Sequence, residues 1–287
     1  MSKQNSKITI IKASGDKVLF DNSKLRRSLE RSGASDTVIN QIIDKMEASL
    51  YDGITTKEIY KKAFALLRKS SRPTAARYKL KKAIYELGPS GFLFEKFVAA
   101  IIKFEGFHTN TNVIVKGHCV NHEVDIVAEK DENHFMIECK FHSDQGRFCD
   151  VKIPLYTHSR FQDVERQWKK SPAHETKFHQ GWIFTNTRFT TDAIQYGNCS
   201  GLMLIGWDYP KKGSLKERVD TAGLHPITSL TTLSAKEKQE LLKNNIVLCK
   251  TIFHNPTLLQ NIGLKSPRLQ KILNECAVLC EINSNNK

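Results

Sequence analysis

The stretch "HEVDIVAEKDENHFMIECKFH", residues 122–142, decides how the middle of the chain folds. It reads as strand, tight turn, strand. Side chains on a strand alternate faces, so Phe135, Ile137 and Cys139 point one way and Met136, Glu138 and Lys140 the other. If Lys130 faces Asn133 across a two-residue turn, facing positions sum to 263, and Asp125 then stands directly opposite Glu138. A slip by one residue would send Asp125 to the other face. Two carboxylates facing each other repel. A hard divalent cation such as Mg²⁺ removes the conflict, because it takes carboxylate oxygens together with water and phosphate oxygens. Lys140, on the same face, would orient or deprotonate a water or stabilise charge at phosphorus. The competing reading is a solvated polar hairpin face. It fits poorly with strands so rich in Val, Ile, Phe and Met that both faces should be covered.

Outward from the hairpin, "FLFEKFVAAIIKFEGF" (92–107) predicts an apolar amphipathic helix. Strands are expected near 112–118, 123–130 and 134–141, with a helix near 160–170. "GWIFTN" and "LMLIGW" predict buried strands on either side of a helix near 189–198. Helix, antiparallel strands, then strand–helix–strand predicts an α/β domain with a mixed sheet. His158, Arg160 and Gln167 follow the hairpin, and a basic or amide side chain there would reach a scissile phosphate.

Asp125, twelve intervening residues and then Glu138-Cys139-Lys140 resemble the PD-(D/E)xK nuclease motif, and "GPSGFLFEKFVAAIIKFEGF" resembles the first helix of Mrr-type restriction-endonuclease-like domains. The resemblance covers about 88–208. It implies a catalytic set of Glu95, Asp125, Glu138 and Lys140, with Glu95, Asp125 and Glu138 holding Mg²⁺ or Mn²⁺. Val124 stands where the family's proline does.

The first 88 residues read differently. "KITIIKASGDKVLF" predicts a hairpin around Gly15-Asp16. Four helices follow: one from Asp21–Ser23 to Gly33, one from Ser35 or Asp36 to about Leu50, one after a Thr cap, and one from Pro73. Over residues 7–88 this unit resembles an ATP-cone, the regulatory nucleotide-binding domain of ribonucleotide reductases and of their transcriptional repressor. The resemblance implies ATP or dATP as a regulatory ligand, with Lys12 and Lys24 at the phosphates, Phe20 and Asp21 by the nucleoside, and Thr56 and Tyr60 lining the pocket. Ala13-Ser14 replaces the family's Arg-Asp. With no G-x₄-G-K-[ST] loop, sensing is expected and not ATP-driven work.

Beyond "HPITSL" the pattern is helical, and "LLQNIGLKSPRLQKIL" resembles a helix–hairpin–helix turning at Ile262-Gly263-Leu264, with Arg268 and Lys271 beyond. A packing pair of helices reads equally well. The last residues, "INSNNK", read as a disordered tail. The expected domains are therefore a mostly helical ATP-cone with a β-hairpin over 1–88, a restriction-endonuclease-like mixed sheet flanked by helices over 89–225, and a small helical module over 226–287.

Charge supports this division. Residues 1–90 hold 19 Lys+Arg against 9 Asp+Glu, residues 91–225 hold 17 against 17, and residues 226–287 hold 8 against 4. The neutral centre leaves the grip on an anionic partner to the flanks or to a local groove. No apolar run approaches a membrane span and no secretory signal is evident, so a cytoplasmic location is expected. The 7 cysteines, odd in number and scattered, read as reduced thiols. Cys119-x₂-His122 and Cys139-x₂-His142 look like zinc ligands only on paper, because residues three apart on a strand face opposite ways. The expectation is a nucleotide-regulated, metal-dependent DNA endonuclease of restriction or defence type. The alternative is an inactive nuclease fold serving as a nucleotide-responsive DNA-binding or oligomerising regulator. DNA is the expected partner, ahead of RNA, together with a nucleoside triphosphate; a homo-oligomer fits, and a membrane does not.

Overall fold

The computed structural model describes residues 8–144, 146–170 and 178–281. The expected tail lies outside them. Among the described residues, no helix is long and apolar enough to cross a membrane.

The chain opens with β1 (Thr9–Ile11) and β2 (Lys17–Leu19), paired antiparallel around Gly15, whose φ of 88° needs a residue without a Cβ. Helices α1 (Asn22–Arg31) and α2 (Asp36–Glu47) follow, then β3 (Ile54–Thr55), which pairs parallel with β1. This two-residue strand is too short for any periodicity to reveal. Helix α3 (Thr56–Ser70) starts at a capping box in which Thr55 and Glu58 satisfy each other's backbone N–H. The single helix expected from Pro73 is two, α4 (Arg72–Tyr78) and α5 (Leu80–Tyr85). Leu25, Leu29, Ile39, Ile42, Met46, Ile59, Ala63 and Leu67 form this unit's own core.

Helix α6 (Phe92–Phe104) leads into the hairpin strands. Phe94, Phe97, Val98, Ile101 and Ile102 recur at helical spacing, and all are fully buried. Each such side chain contributes roughly 1.5–3 kcal/mol. Then come β4 (His108–Lys116), β5 (Asn121–Lys130) and β6 (Asn133–Lys140), joined antiparallel. A short strand β7 (Phe148–Cys149) precedes α7 (Lys152–Trp168). Strand β8 (Phe178–Thr185) pairs parallel with β6, and β9 (Arg188–Phe189) pairs parallel with β7. After α8 (Thr191–Cys199), β10 (Met203–Ile205) completes a five-stranded mixed sheet of order β10-β8-β6-β5-β4. The mixed sheet flanked by helices is the expected one. Helix α7 is longer than the segment near 160–170, beginning at Lys152 with Pro154 in its first turn.

The faces of the sheet are occupied differently. Ile126, Ala128, Ile137 and Cys139 pack with α6. Val127 and Met136 pack with Phe161, Val164 and Trp168 of α7. The α6 face carries the rest of the chain: α9 (Leu215–Ala222), a 3₁₀ turn over Ile227–Ser229, α10 (Ala235–Lys243), α11 (Cys249–His254), α12 (Thr257–Asn261) and α13 (Arg268–Glu281). One continuous core runs from Ala76, Leu80 and Ile84 through α6 to Ile252, Ile272 and Leu279. The C-terminal helices are thus fused by packing to both α4–α5 and the sheet.

Candidate active site

The register of the hairpin holds up to the site, but the expected Asp125–Glu138 pair is not part of the ladder. Lys130 pairs with Asn133, and the ladder continues with facing positions summing to 263 as far as Ile126 and Ile137. Asp131 and Glu132 at the turn have φ of 50° and 63°, as a two-residue type I′ turn requires. One step beyond Ile126 the ladder opens. The Cys139 N–H, which continued pairing would direct to the Val124 carbonyl, donates instead to Asp125 Oδ2 at 2.7 Å. The ladder to β4 also skips Asp125, opposite Asn112, whose φ of 54° is left-handed. Asp125 therefore sits where β5 loses regular pairing on both sides.

By strand parity Glu138 and Lys140 belong to the face of Met136, towards α7; Val124 and Val127 both pack on that face, so the alternation of β5 breaks between them, where Asp125 stands. Glu95 comes from the first turn of α6, on the other side of the sheet. The Phe141 ring, 5.6 Å from that of Phe94, ties the end of β6 to α6 and brings Glu95 to the same end of the hairpin. The electrostatics show the convergence. Glu95 is pushed up to about 7, by burial first and then by Asp125, Glu138 and Glu123. Glu138 is pushed up to about 7, by burial and then by Asp125, against the opposing pull of Arg160 and Lys140. Asp125 is raised, again mainly by burial, with the Cys139 hydrogen bond and Arg160 opposing. Like charges withdrawn from water disfavour each other's ionised forms. Lys140 acts on both Asp125 and Glu138.

Each carboxylate is nonetheless engaged separately. Asp125 holds the Cys139 amide. Glu138 Oε2 accepts from Arg160 Nη1 at 2.6 Å. Glu95 Oε1 turns back over its own helix start, so close to Gly91 that a Cβ there would meet it at 3.2 Å. Among the described residues, no three His, Cys, Asp or Glu side chains are gathered tightly enough to hold a metal ion as they stand. The donor set fits in kind: carboxylate oxygens are the ligands Mg²⁺ takes.

Arg160 was visible in the sequence only as a phosphate contact; its bond to Glu138 was not. Asn186 had no sequence signal at all. Its side chain pins the loop after Lys140, accepting from His142 N at 2.9 Å and donating to His142 O at 2.8 Å. His122 and Cys119, the first zinc pair set aside, both turn to Asp163, which accepts from His122 Nε2 at 2.8 Å and from the Cys119 amide at 2.9 Å.

The residues expected to bind nucleotide lie around the first hairpin and the starts of α1 and α3. Lys12 and Lys24 are exposed. Asp21 caps α1, accepting from Ser23 N and Oγ at 2.9 and 2.6 Å, with Lys24 Nζ 3.7 Å away. Phe20 packs on the core of this unit. Thr56 opens α3. Tyr60 stacks on Tyr78 at 5.2 Å, and its hydroxyl is buried without a partner.

The C-terminal turn at Ile262-Gly263-Leu264 is closed by its own backbone. Gly263 N donates to Gln260 O and Leu264 N to Leu259 O, so the turn's amides close the end of α12. Arg268 is held by Glu237 through both guanidinium nitrogens, at 2.6 Å each. Two open clefts lie away from both sites: one of about 770 Å³ beside α10 and α12, and one of about 890 Å³ along β4 and Trp168.

Comparison with known proteins gives the families. Residues 8–84 match the ATP cone domain, 88–208 the restriction endonuclease family Mrr_cat, and 225–280 the C-terminal domain of AF1548-like proteins. The chain therefore carries an ATP-cone domain followed by a Mrr-type restriction-endonuclease-like domain. An uncharacterized protein of Archaeoglobus fulgidus is 37% identical over 179 residues, which is 62% of this chain and 97% of that protein. The solved structure titled "Crystal Structure of Protein of Unknown Function AF1548" is 36% identical and superposes with a TM-score of 0.53, covering 66% of this chain and 98% of its own. The ATP-cone match spans the hairpin and α1–α5. The Mrr_cat match spans α6 through β10 and so contains Glu95, Asp125, Glu138 and Lys140.

Proposed function

We propose that this protein is a nucleotide-regulated, divalent-metal-dependent DNA endonuclease, acting in restriction or defence. The observation that carries the reading is the convergence of Glu95, Asp125 and Glu138 at one end of the β5–β6 hairpin, each raised by burial and by like-charged neighbours, with Lys140 beside them. Strongly perturbed carboxylates grouped in this way mark functional sites. A bound Mg²⁺ or Mn²⁺ would polarise a phosphoryl oxygen and acidify a water. Asp125 and Glu138 would be its main protein ligands, with Glu95 joining from α6. Lys140 would orient the attacking water and stabilise charge at phosphorus. The Asn186 clamp on His142 would hold the end of β6, and so Lys140, against the backbone.

The ATP-cone would report ATP or dATP to this site through the packing of α4 and α5 on the shared core. Lys12 and Lys24 would meet the phosphates, Phe20 and Asp21 would lie by the nucleoside, and Thr56 and Tyr60 would line the pocket. The basic surplus of the first 90 residues suits both a triphosphate and a nucleic-acid backbone, so binding of DNA should weaken steeply with salt.

One observation favours the alternative of an inactive nuclease fold that binds DNA or oligomerises in response to nucleotide. Glu138 is neutralised within the chain by Arg160. A single assay separates the two. Plasmid is incubated with Mg²⁺ or Mn²⁺, with and without ATP and dATP, for the wild type, Asp125→Ala and Lys140→Ala. Cleavage by the wild type alone, altered by nucleotide, supports the endonuclease. Equal inactivity of all three on DNA and RNA, with nucleotide-dependent binding intact, supports the regulator.

A further inference from the structure

We propose that Arg160 is a positioning residue of the cleavage site that exchanges partners: it holds Glu138 in the metal-free protein and turns to a substrate phosphate when a cation takes the carboxylate. This rests on the nuclease reading above. The geometry singles out Arg160 in three ways. Its guanidinium bridges the sheet and α7, with Nη1 2.6 Å from Glu138 Oε2 and Nη2 donating to the Glu123 carbonyl. The ion pair is withdrawn from solvent, with side-chain exposures of 11% for Arg160 and 18% for Glu138. The same guanidinium lies 5.2 Å from the ring centroid of Tyr156, one turn earlier on α7. Tyr156 is 59% exposed, so the arginine reaches from the carboxylate to the surface that a ligand would approach.

A guanidinium has five donors in a planar fork that matches a phosphate. Among the described contacts, two of its nitrogens are in use. A divalent cation on Asp125 and Glu138 would leave Arg160 next to a cation, sharing an anion already neutralised. The nearest new anion would be the phosphate drawn to that cation. The flat ring of Tyr156 supports the guanidinium in either position, because an arginine stacks on an aromatic face through its plane and leaves its edges free to donate. Metal and nucleic acid would then assist each other's binding, with Arg160 as the link. Without the exchange, Arg160 is only a competitor for Glu138.

The test uses the full chain and two substitutions, Arg160→Gln and Arg160→Lys. Mn²⁺ binding is measured by calorimetry without nucleic acid, and cleavage of plasmid is measured at saturating Mn²⁺. Arg160→Gln removes a cation from beside the metal position, so it should bind Mn²⁺ about three- to tenfold more tightly, yet cut at least about 100-fold more slowly. Arg160→Lys keeps the charge and loses the fork. Its Mn²⁺ affinity should match the wild type, and its cleavage rate should lie between the other two. Mn²⁺ affinity in Arg160→Gln that is unchanged or weakened would overturn the exchange, and so would undiminished cleavage. If Arg160→Gln does not fold, a wild-type rate in Arg160→Lys overturns it instead, and an intermediate rate with unchanged Mn²⁺ affinity supports it. A wild type that neither binds Mn²⁺ nor cuts nucleic acid removes the nuclease reading itself, which is a different result from a wild type that cuts alongside equally active Arg160 variants.

Discussion

Glu275 and Glu138 are both carboxylates withdrawn from water, in opposite surroundings. Glu275 on α13 is 4% exposed. It accepts from Thr231 N and Oγ1 at 2.9 and 2.7 Å and from Thr232 N and Oγ1 at 3.0 and 2.6 Å. Four donors from one short segment satisfy both oxygens, so the charge is a structural rivet between α13 and the loop ahead of α10. Glu138 has one side-chain hydrogen bond among those described, to Arg160, and is raised by burial first and then by Asp125. A carboxylate kept for folding is surrounded by donors; Glu138, proposed here for chemistry, is left short of them. The contrast predicts opposite signs for removing each charge.

The largest effect is expected at Asp125. Asp125→Asn keeps an oxygen for the Cys139 amide and removes the charge that disturbs Glu95 and Glu138. Cleavage should fall by about 1000-fold or more, while the metal-free protein should gain about 1 kcal/mol and melt a few degrees higher. A variant that loses both stability and activity would mean that Asp125 is a rivet too. Glu275→Ala should do the reverse. It strands four donors and should cost about 2–4 kcal/mol in urea unfolding, with the cleavage rate per folded molecule unchanged. A lossless Glu275→Ala would dissolve the comparison.

The pH dependence of stability should separate the two regions further. Glu95 and Glu138 are raised to about 7 in the folded protein from an ordinary value of 4.5. Between those values the folded chain binds more protons at these sites than the unfolded chain. Their contribution to stability is therefore fully present below about 4.5 and lost as pH rises through 7. In the absence of metal, the melting temperature of the wild type should fall relative to Glu95→Gln between pH 5 and 8. Saturating Mg²⁺ should flatten that difference, because the cation replaces the protons. Parallel curves for the two proteins without metal would show that Glu95 is not raised in the folded protein.

Much of this site could be read before folding because strand parity is a strong constraint. Glu138 and Lys140 had to share a face once Ile137 and Cys139 were committed to a core, but Asp125 stands between Val124 and Val127, which both pack towards α7, so parity alone does not set its face. The turn was less legible: Asp131 tolerates a positive φ but Glu132 does not favour one, and the buried faces of β5 and β6 impose it. Arg160's bond to Glu138 was hidden because α7 was expected to begin near 160. Pro154, a residue suited to a first helical turn, was the available signal for the true start. The split between α4 and α5 has neither Pro nor Gly to announce it. It falls at Lys79, whose ammonium is drawn to Glu86 and to the Thr228 carbonyl, far away in sequence. Likewise, no pattern in either segment reveals that α4–α5 and α13 share one core.

That junction is a third kind of buried charge, between the rivet and the site. Lys79 Nζ donates to Glu86 Oε2 at 2.6 Å and to Thr228 O at 2.8 Å. Lys238 Nζ reaches the same Thr228 carbonyl at 2.9 Å and is pushed down to about 8, by burial first and by Lys79 second. Thr228 Oγ1 in turn donates to Ala83 O at 2.6 Å. These bonds tie the end of the ATP-cone to the C-terminal helices, and the tie is satisfied yet like-charged, so it can be altered at small cost. Lys79→Met keeps the aliphatic stem, relieves Lys238 and loses two hydrogen bonds. It should change stability by about 1 kcal/mol or less. If the nucleotide signal runs through this contact, the change in cleavage rate caused by ATP or dATP should shrink by about two- to fivefold, while nucleotide affinity measured by calorimetry stays that of the wild type to within the same small coupling. A full nucleotide response in Lys79→Met would move the route to another contact between the cone and the nuclease domain, such as the one where Lys81 lies over Trp207 near the Arg188–Asp208 ion pair.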